Sequence, residues 1–135
     1  NVLWAAAAPT PFNRGEEQSA PQTMLAYVAF GQHLGDGLVL FFVDEVLWVH
    51  DTDLPNDYGI DNSTEEWIAF FATRQTAYSM WQFVSEGDVG FMESVEMSDD
   101  EFFAQLLDGW REGVLLAEIT VSGPLIESIF EVYTP

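Results

Sequence analysis

Two histidines, three arginines and 23 carboxylates are the groups in this 135-residue sequence that could carry out chemistry. His50 stands in "WVHDTD" beside Asp51 and Asp53, a grouping that could ligate a metal ion. A histidine at a strand edge next to a solvated loop explains the same residues more simply. The longer stretch "DTDLPNDYGIDN" places the hard oxygens of Asp51, Asp53, Asp57 and Asp61 at short intervals. It does not follow the EF-hand scheme: Pro55 holds the fifth position, Asn56 the sixth where glycine is needed, and Asn62 the twelfth where a bidentate glutamate belongs. With so many carboxylates, pairs spaced for acid–base catalysis arise by chance, and none is singled out. No glycine-rich phosphate loop, nucleophile elbow or zinc signature is present, and there is no cysteine. The reading is therefore no enzyme, no cofactor and no metal site.

The charge balance narrows the choice of partner. Acidic residues outnumber basic ones 23 to 3, lysine is absent, and the formal net charge is −20. Such a surface repels nucleic acid and anionic membranes and favours basic proteins or basic segments. Hydrophobic residues still make up 48% of the chain and aromatics 15%, ample for one core and unlike a disordered acidic tail. The longest apolar run, Leu38 to Val43, is too short to cross a bilayer as a helix. These features, with the missing cysteines, fit a cytoplasmic protein. "NVLWAAAAPTPF" has the small residues of a processed signal but no charged leader, and reads as a flexible extension.

Residues 1–22, with Pro9, Pro11 and Pro21, read as a mobile arm, and residues 23–135 as a single domain. "TMLAYVAFGQHLGDG" sets Met24, Leu25, Val28 and Leu34 near helical spacing, although Tyr27, Val28 and Phe30 suit a strand as well. "LVLFFVDEVLWVHD" reads as one long strand, or as two joined at Asp44-Glu45. Ser63 and Glu66 form a capping-box pattern, and Trp67, Phe70 and Phe71 follow on one helical face, predicting a short helix that ends at Arg74. "AYSMWQFV" and "VGFMESVEM" read as a hairpin turning at "SEGD", with Gly87 supplying positive φ. Ser98 and Glu101 form a second capping box, opening a helix whose apolar stripe is Phe103, Leu106, Leu107, Trp110 and Val114. The expected fold class is α+β, a small antiparallel β-sheet packed against two or three helices.

From Glu45 to Glu118 the order of elements resembles the YbjN family and the related type III secretion chaperones of the CesT type. "EVLWVHDTDLP" is similar to that family's strand and loop. "EEWIAFFATRQTAYSMWQFVSEGDVGFMESVEM" is similar to its Trp-bearing helix and returning strands, and "SDDEFFAQLLDGWREGVLLAE" to its long closing helix. The resemblance implies a chaperone-like α+β sandwich, often a dimer, whose apolar surface holds an unfolded or extended segment of another protein. No catalytic residue comes with it. A strand meander followed by a long helix is also similar to the antigen-presenting α1 platform, but the hairpin after Ala77 falls where that platform continues as helix.

Consecutive apolar strand residues point to both faces of a sheet, which leaves either a doubly covered sheet or one exposed apolar face. Phe42, Trp48, Trp81 and Met92 are the candidate apolar contacts to a partner, with Asp51, Asp53, Glu93 and Glu96 as charged ones. The sequence thus reads as a non-catalytic protein-binding module, chaperone-like or regulatory, for a basic or partly unfolded protein. The alternative is a DNA mimic, its carboxylates along Asp51–Asp61 and Glu93–Asp100 replacing phosphates on a nucleic-acid-binding protein.

Overall fold

The computed structural model describes residues 20–50, 53, 58–62 and 65–133, and these are almost entirely β. The strands are β1 (Gln22–Gly35), β2 (Leu38–Glu45), β3 (Leu47–His50), β4 (Tyr58–Asp61), β5 (Ile68–Glu86), β6 (Val89–Met97), β7 (Val114–Ser122) and β8 (Leu125–Glu131). Among the described residues there is one helix, α1 (Asp99–Asp108), between β6 and β7. The main sheet runs β2-β1-β7-β8-β5-β6, and β2 also pairs with β5. That extra pairing closes β1, β2, β5, β8 and β7 into a five-stranded barrel, leaving β6 outside as an edge strand. β3 and β4 form a separate two-stranded ribbon inserted between β2 and β5.

All pairings in the barrel are antiparallel except β5 with β8, and the helix precedes the fourth barrel strand. This is the connectivity of the OB-fold, a five-stranded Greek-key barrel. The α+β sandwich with two or three helices that the sequence suggested is not what forms.

Local chemistry explains the turns. Asp36 and Gly37, at φ 54° and 77°, form the two-residue loop between paired Gly35 and Leu38, the Asp-Gly pattern of a type I′ hairpin. Gly87 at φ 65° opens the loop between Glu86 and Val89, as expected for "SEGD". Alternation along β7 is regular: Leu115, Ala117, Ile119 and Val121 are buried, with the intervening residues more exposed. They meet Ala26 and Val28 of β1, Val39, Phe41 and Val43 of β2, Ala72 and Met80 of β5, and Ile126 and Ile129 of β8 in one core.

β5 is too long for one barrel strand, and a bulge between Ala72 and Ala77 divides it. Its first part, from Ile68 to Ala72, pairs with β2 and closes the barrel. Its second part, from Tyr78 to Glu86, pairs with β6 and runs out as a ribbon. Thr76 stabilises the bulge: its hydroxyl accepts from the Thr73 amide at 2.9 Å and donates to the Ile126 carbonyl at 2.7 Å.

Three helical expectations are corrected. "TMLAYVAFGQHLG" is strand β1, because its branched and aromatic residues pair on both edges, with β2 and β7. The segment from Trp67 to Arg74 is not a helix. Ile68 already opens β5, and the Glu66 amide donates to Asp44 Oδ1 at 3.0 Å. Ser63 itself lies outside the described residues. The capping box at Ser98 and Glu101 forms as expected, with Ser98 Oγ accepting from the Glu101 amide at 3.2 Å. The helix, however, stops at Gly109, and Glu112 and Gly113 at positive φ turn the chain into β7. Its buried face is also offset by one position. Phe102 and Leu106 are fully buried, whereas Leu107 and Trp110 are exposed and Val114 belongs to β7. Of the arm expected over residues 1–22, residues 1–19 lie outside the described part, and Gln22 is already the first residue of β1. No helix among the described residues is long and apolar enough to cross a membrane.

Candidate protein-binding cleft

Where the β5–β6 ribbon leaves the barrel, it forms an open cleft of about 450 Å³ against the C-terminal end of α1. Trp81, Phe83 and Met92 come from the ribbon, and Gln105, Trp110 and Arg111 from the helix and the turn after it. Phe83 is paired with Met92 and Trp81 with Ser94, so Trp81, Phe83 and Met92 share one face of the ribbon.

The base of the cleft is rigid because a buried ion pair fixes it. Arg111 and Glu131 meet with side chains only 4% and 7% exposed. The Arg111 Nε donates to Glu131 Oε2 and Nη2 to Oε1, both at 2.6 Å. Bidentate geometry of this kind offsets much of the cost of burying two charges. Around it Trp81 is held at three points. Its amide donates to Glu131 Oε1 at 2.8 Å, its indole Nε1 donates to the Glu131 carbonyl at 3.0 Å, and its carbonyl accepts from Arg111 Nη2 at 3.1 Å. Tyr133 packs beside the indole, with ring centroids 5.3 Å apart.

The rim is apolar and open to water. Trp110 is 78% exposed and Phe83 69%. The Arg111 guanidinium lies 4.5 Å from the centre of the Trp110 ring, a cation–π contact that orients the indole over the ion pair. Phe83 leans across the ribbon onto Gly90: a Cβ added there would fall 2.1 Å from the ring. A glycine diagonal to an aromatic across a strand pair in this way lets the ring shield bare backbone.

Of the residues singled out in the sequence, Trp81 and Met92 are brought together here. Glu93 and Glu96 are exposed on β6, paired with Gln82 and Ser79. Phe42 lies elsewhere, on the outer wall of the barrel paired with Ala69 of β5, and Trp48 is exposed on β3 opposite Ile60. Asp53 is exposed in the connection between β3 and β4, and Asp51 is outside the described residues. Phe83, Trp110 and Arg111 are the residues sequence reasoning did not assign to a site. Gly109, directly before Trp110, was the available signal, since a glycine after a helical stripe ends it.

His33 packs between Phe30 and Phe103, with ring centroids 5.1 and 5.0 Å away. Among the described residues, no three His, Asp or Glu side chains come close enough to hold a metal ion. No family model, curated protein or solved structure matches the chain.

Proposed function

We propose that this chain is a non-catalytic protein-binding module that takes a partner protein on the apolar cleft between the β5–β6 ribbon and the end of α1. The observation that carries this reading is the exposure of Phe83 and Trp110 on a floor fixed by Arg111, Glu131 and Trp81. Exposed aromatics on a preorganised base have the character of a binding hot spot, because little freedom remains to be lost on association. The surrounding charge decides the partner's character. A net charge of −20 disfavours nucleic acid even though OB-type barrels often bind it, and favours a basic protein. A barrel of this kind supports many activities, so the cleft and not the barrel carries this reading.

The test is affinity capture from nuclease-treated host lysate with the wild type and with a Phe83→Ser/Trp110→Ala double variant, washed at low and at high salt. The reading expects a partner retained by the wild type at high salt and lost by the double variant. A nucleic-acid-binding enzyme captured equally by both proteins and released by salt would replace it with the DNA-mimic reading.

A further inference from the structure

We infer that the free edge of β6 is a strand-addition site, at which a basic, extended segment of another protein pairs as a further strand of the sheet. This rests on the protein-binding reading and names the partner's backbone conformation and charge.

β6 ends the main sheet, with β5 on one side and no strand on the other among the described residues. Which of its backbone groups are open follows from Trp81. The Trp81 amide donates to Glu131 and its carbonyl accepts from Arg111, so neither bonds β6. Trp81 and its partner Ser94 therefore form a non-hydrogen-bonded pair, whose N–H and C=O groups turn away from each other. By the alternation of an antiparallel ladder, Gly90, Met92, Ser94 and Glu96 all turn their N–H and C=O groups to the open side. Four successive donor–acceptor sets at an unpaired edge are what an extended chain needs to add itself by main-chain bonding.

Charge selects the occupant. The ribbon from Tyr78 to Met97 carries Glu86, Asp88, Glu93 and Glu96 and no basic side chain, and Asp99, Asp100 and Glu101 follow directly. A second copy pairing edge to edge would bring the same carboxylates together, in chains that each bear −20. A basic segment meets attraction instead. Its alternate side chains would lie beside Met92 and Glu96 on one face and beside Phe91, Glu93 and Val95 on the other, matching alternating cationic and branched apolar residues.

The experiment uses a synthetic peptide of alternating Lys and Val, as long as β6, titrated into the full chain by calorimetry, with amide exchange followed by NMR. Binding that slows exchange at Met92, Ser94 and Glu96 is expected. Ser94→Pro should weaken it about tenfold or more, the scale of a lost hydrogen bond plus a blocked edge. That substitution removes an outward-facing N–H and leaves the ladder to β5 intact, so near-ultraviolet dichroism should not change. On the wild type, the same peptide N-methylated at its three central residues keeps its charge but cannot pair, and should bind no better than the Ser94→Pro complex. Equal affinity for the N-methylated peptide, or for the Ser94→Pro variant, would overturn strand addition and leave charge alone. A dimer that forms without peptide and is abolished by Ser94→Pro would overturn the basic occupant in favour of a second copy. Binding that survives Ser94→Pro but is lost in Phe83→Ser/Trp110→Ala would overturn the edge and keep the cleft; binding lost in neither would overturn both.

Discussion

The Arg111 guanidinium meets the Glu131 carboxylate fork to fork, with two nitrogen–oxygen contacts of 2.6 Å beneath the cleft. Arg111 follows the helix and Glu131 ends β8, so the pair ties the end of α1 to the barrel and sets the position of Trp81 between them.

Removing one partner should cost more than removing both. Arg111→Met leaves a buried carboxylate uncompensated and is expected to destabilise the fold by about 3–5 kcal/mol. Arg111→Met/Glu131→Leu removes both charges and should recover a good part of that loss. The residue of about 1–3 kcal/mol comes from the Trp81 amide left without an acceptor. Urea unfolding of both single variants and the double variant gives the coupling directly. Strictly additive losses would show that the two charges do not act as a pair.

Trp110 and Phe102 separate the exposed rim of the cleft from the core. Phe102 is fully buried and stacks on Tyr78 with centroids 4.2 Å apart, so Phe102→Ala should cost about 3–5 kcal/mol. Trp110→Ala removes an exposed ring and its cation–π contact, and should cost no more than about 1 kcal/mol. Thermal melts of the two variants test this contrast. A large loss for Trp110→Ala would return that residue to the core, where helical periodicity alone had placed it.

That misplacement shows where the sequence was legible. The Glu-Gly-Asp turn and the Ser98 capping box are local chemistry and form as read, whereas the hairpin turn at Asp36-Gly37 stands where helical spacing pointed to a helix end. Trp67, Phe70 and Phe71 fit a helical face by spacing, yet β-pairing with β2 and β8 claims the last two, and tertiary pairing overrides a spacing of three and four. Phe102 escapes for a related reason: a stripe through Phe103 and Trp110 supposes a helix that continues past Gly109. The cleft was half legible. Trp81 and Met92 stood out as apolar residues on a strand, but the Arg111–Glu131 pair joins residues 20 apart across a strand hairpin, and no local pattern announces it.

Thr76 should be sensitive despite its size. One hydroxyl satisfies both the Thr73 amide and the Ile126 carbonyl at the bulge that bends β5 out of the barrel. Thr76→Val keeps the shape and leaves both groups without that partner, for an expected loss of about 1–3 kcal/mol. Thr76→Ser, which keeps the hydroxyl, should lose less. Equal stability of Thr76→Val and wild type in urea would show that the bulge is held by its backbone alone.

Alkaline stability should depend on Tyr78. Burial raises its phenol well above the ordinary tyrosine value of 10.0, the Asp99 charge adds to the rise, and a hydrogen bond with Thr76 opposes it. The folded chain therefore holds a proton that the unfolded chain gives up near pH 10. The stability tied to this proton is fully present below that pH and is lost as pH rises from there towards the folded value. Tyr78→Phe keeps the stack on Phe102 and removes the titration, so its unfolding free energy should fall less steeply above pH 10. Parallel curves for the two proteins would show that the phenol ionises alike in both states.

Salt should stabilise the whole chain while leaving the buried pair nearly untouched. Twenty-three carboxylates against three arginines repel one another more in the compact state than in the unfolded one. Raising the ionic strength shortens the Debye length from about 10 Å at 0.1 M to about 3 Å at 1 M and screens that repulsion. The melting temperature in sodium chloride should accordingly rise and then level off. The Arg111–Glu131 pair lies out of reach of the salt, so Arg111→Met should lower the melting temperature by a similar amount at 0.1 M and at 1 M. A loss that shrinks strongly with salt would mean that solvent enters between Arg111 and Glu131, and that the floor of the cleft is not the fixed base on which Trp81 and Trp110 are held.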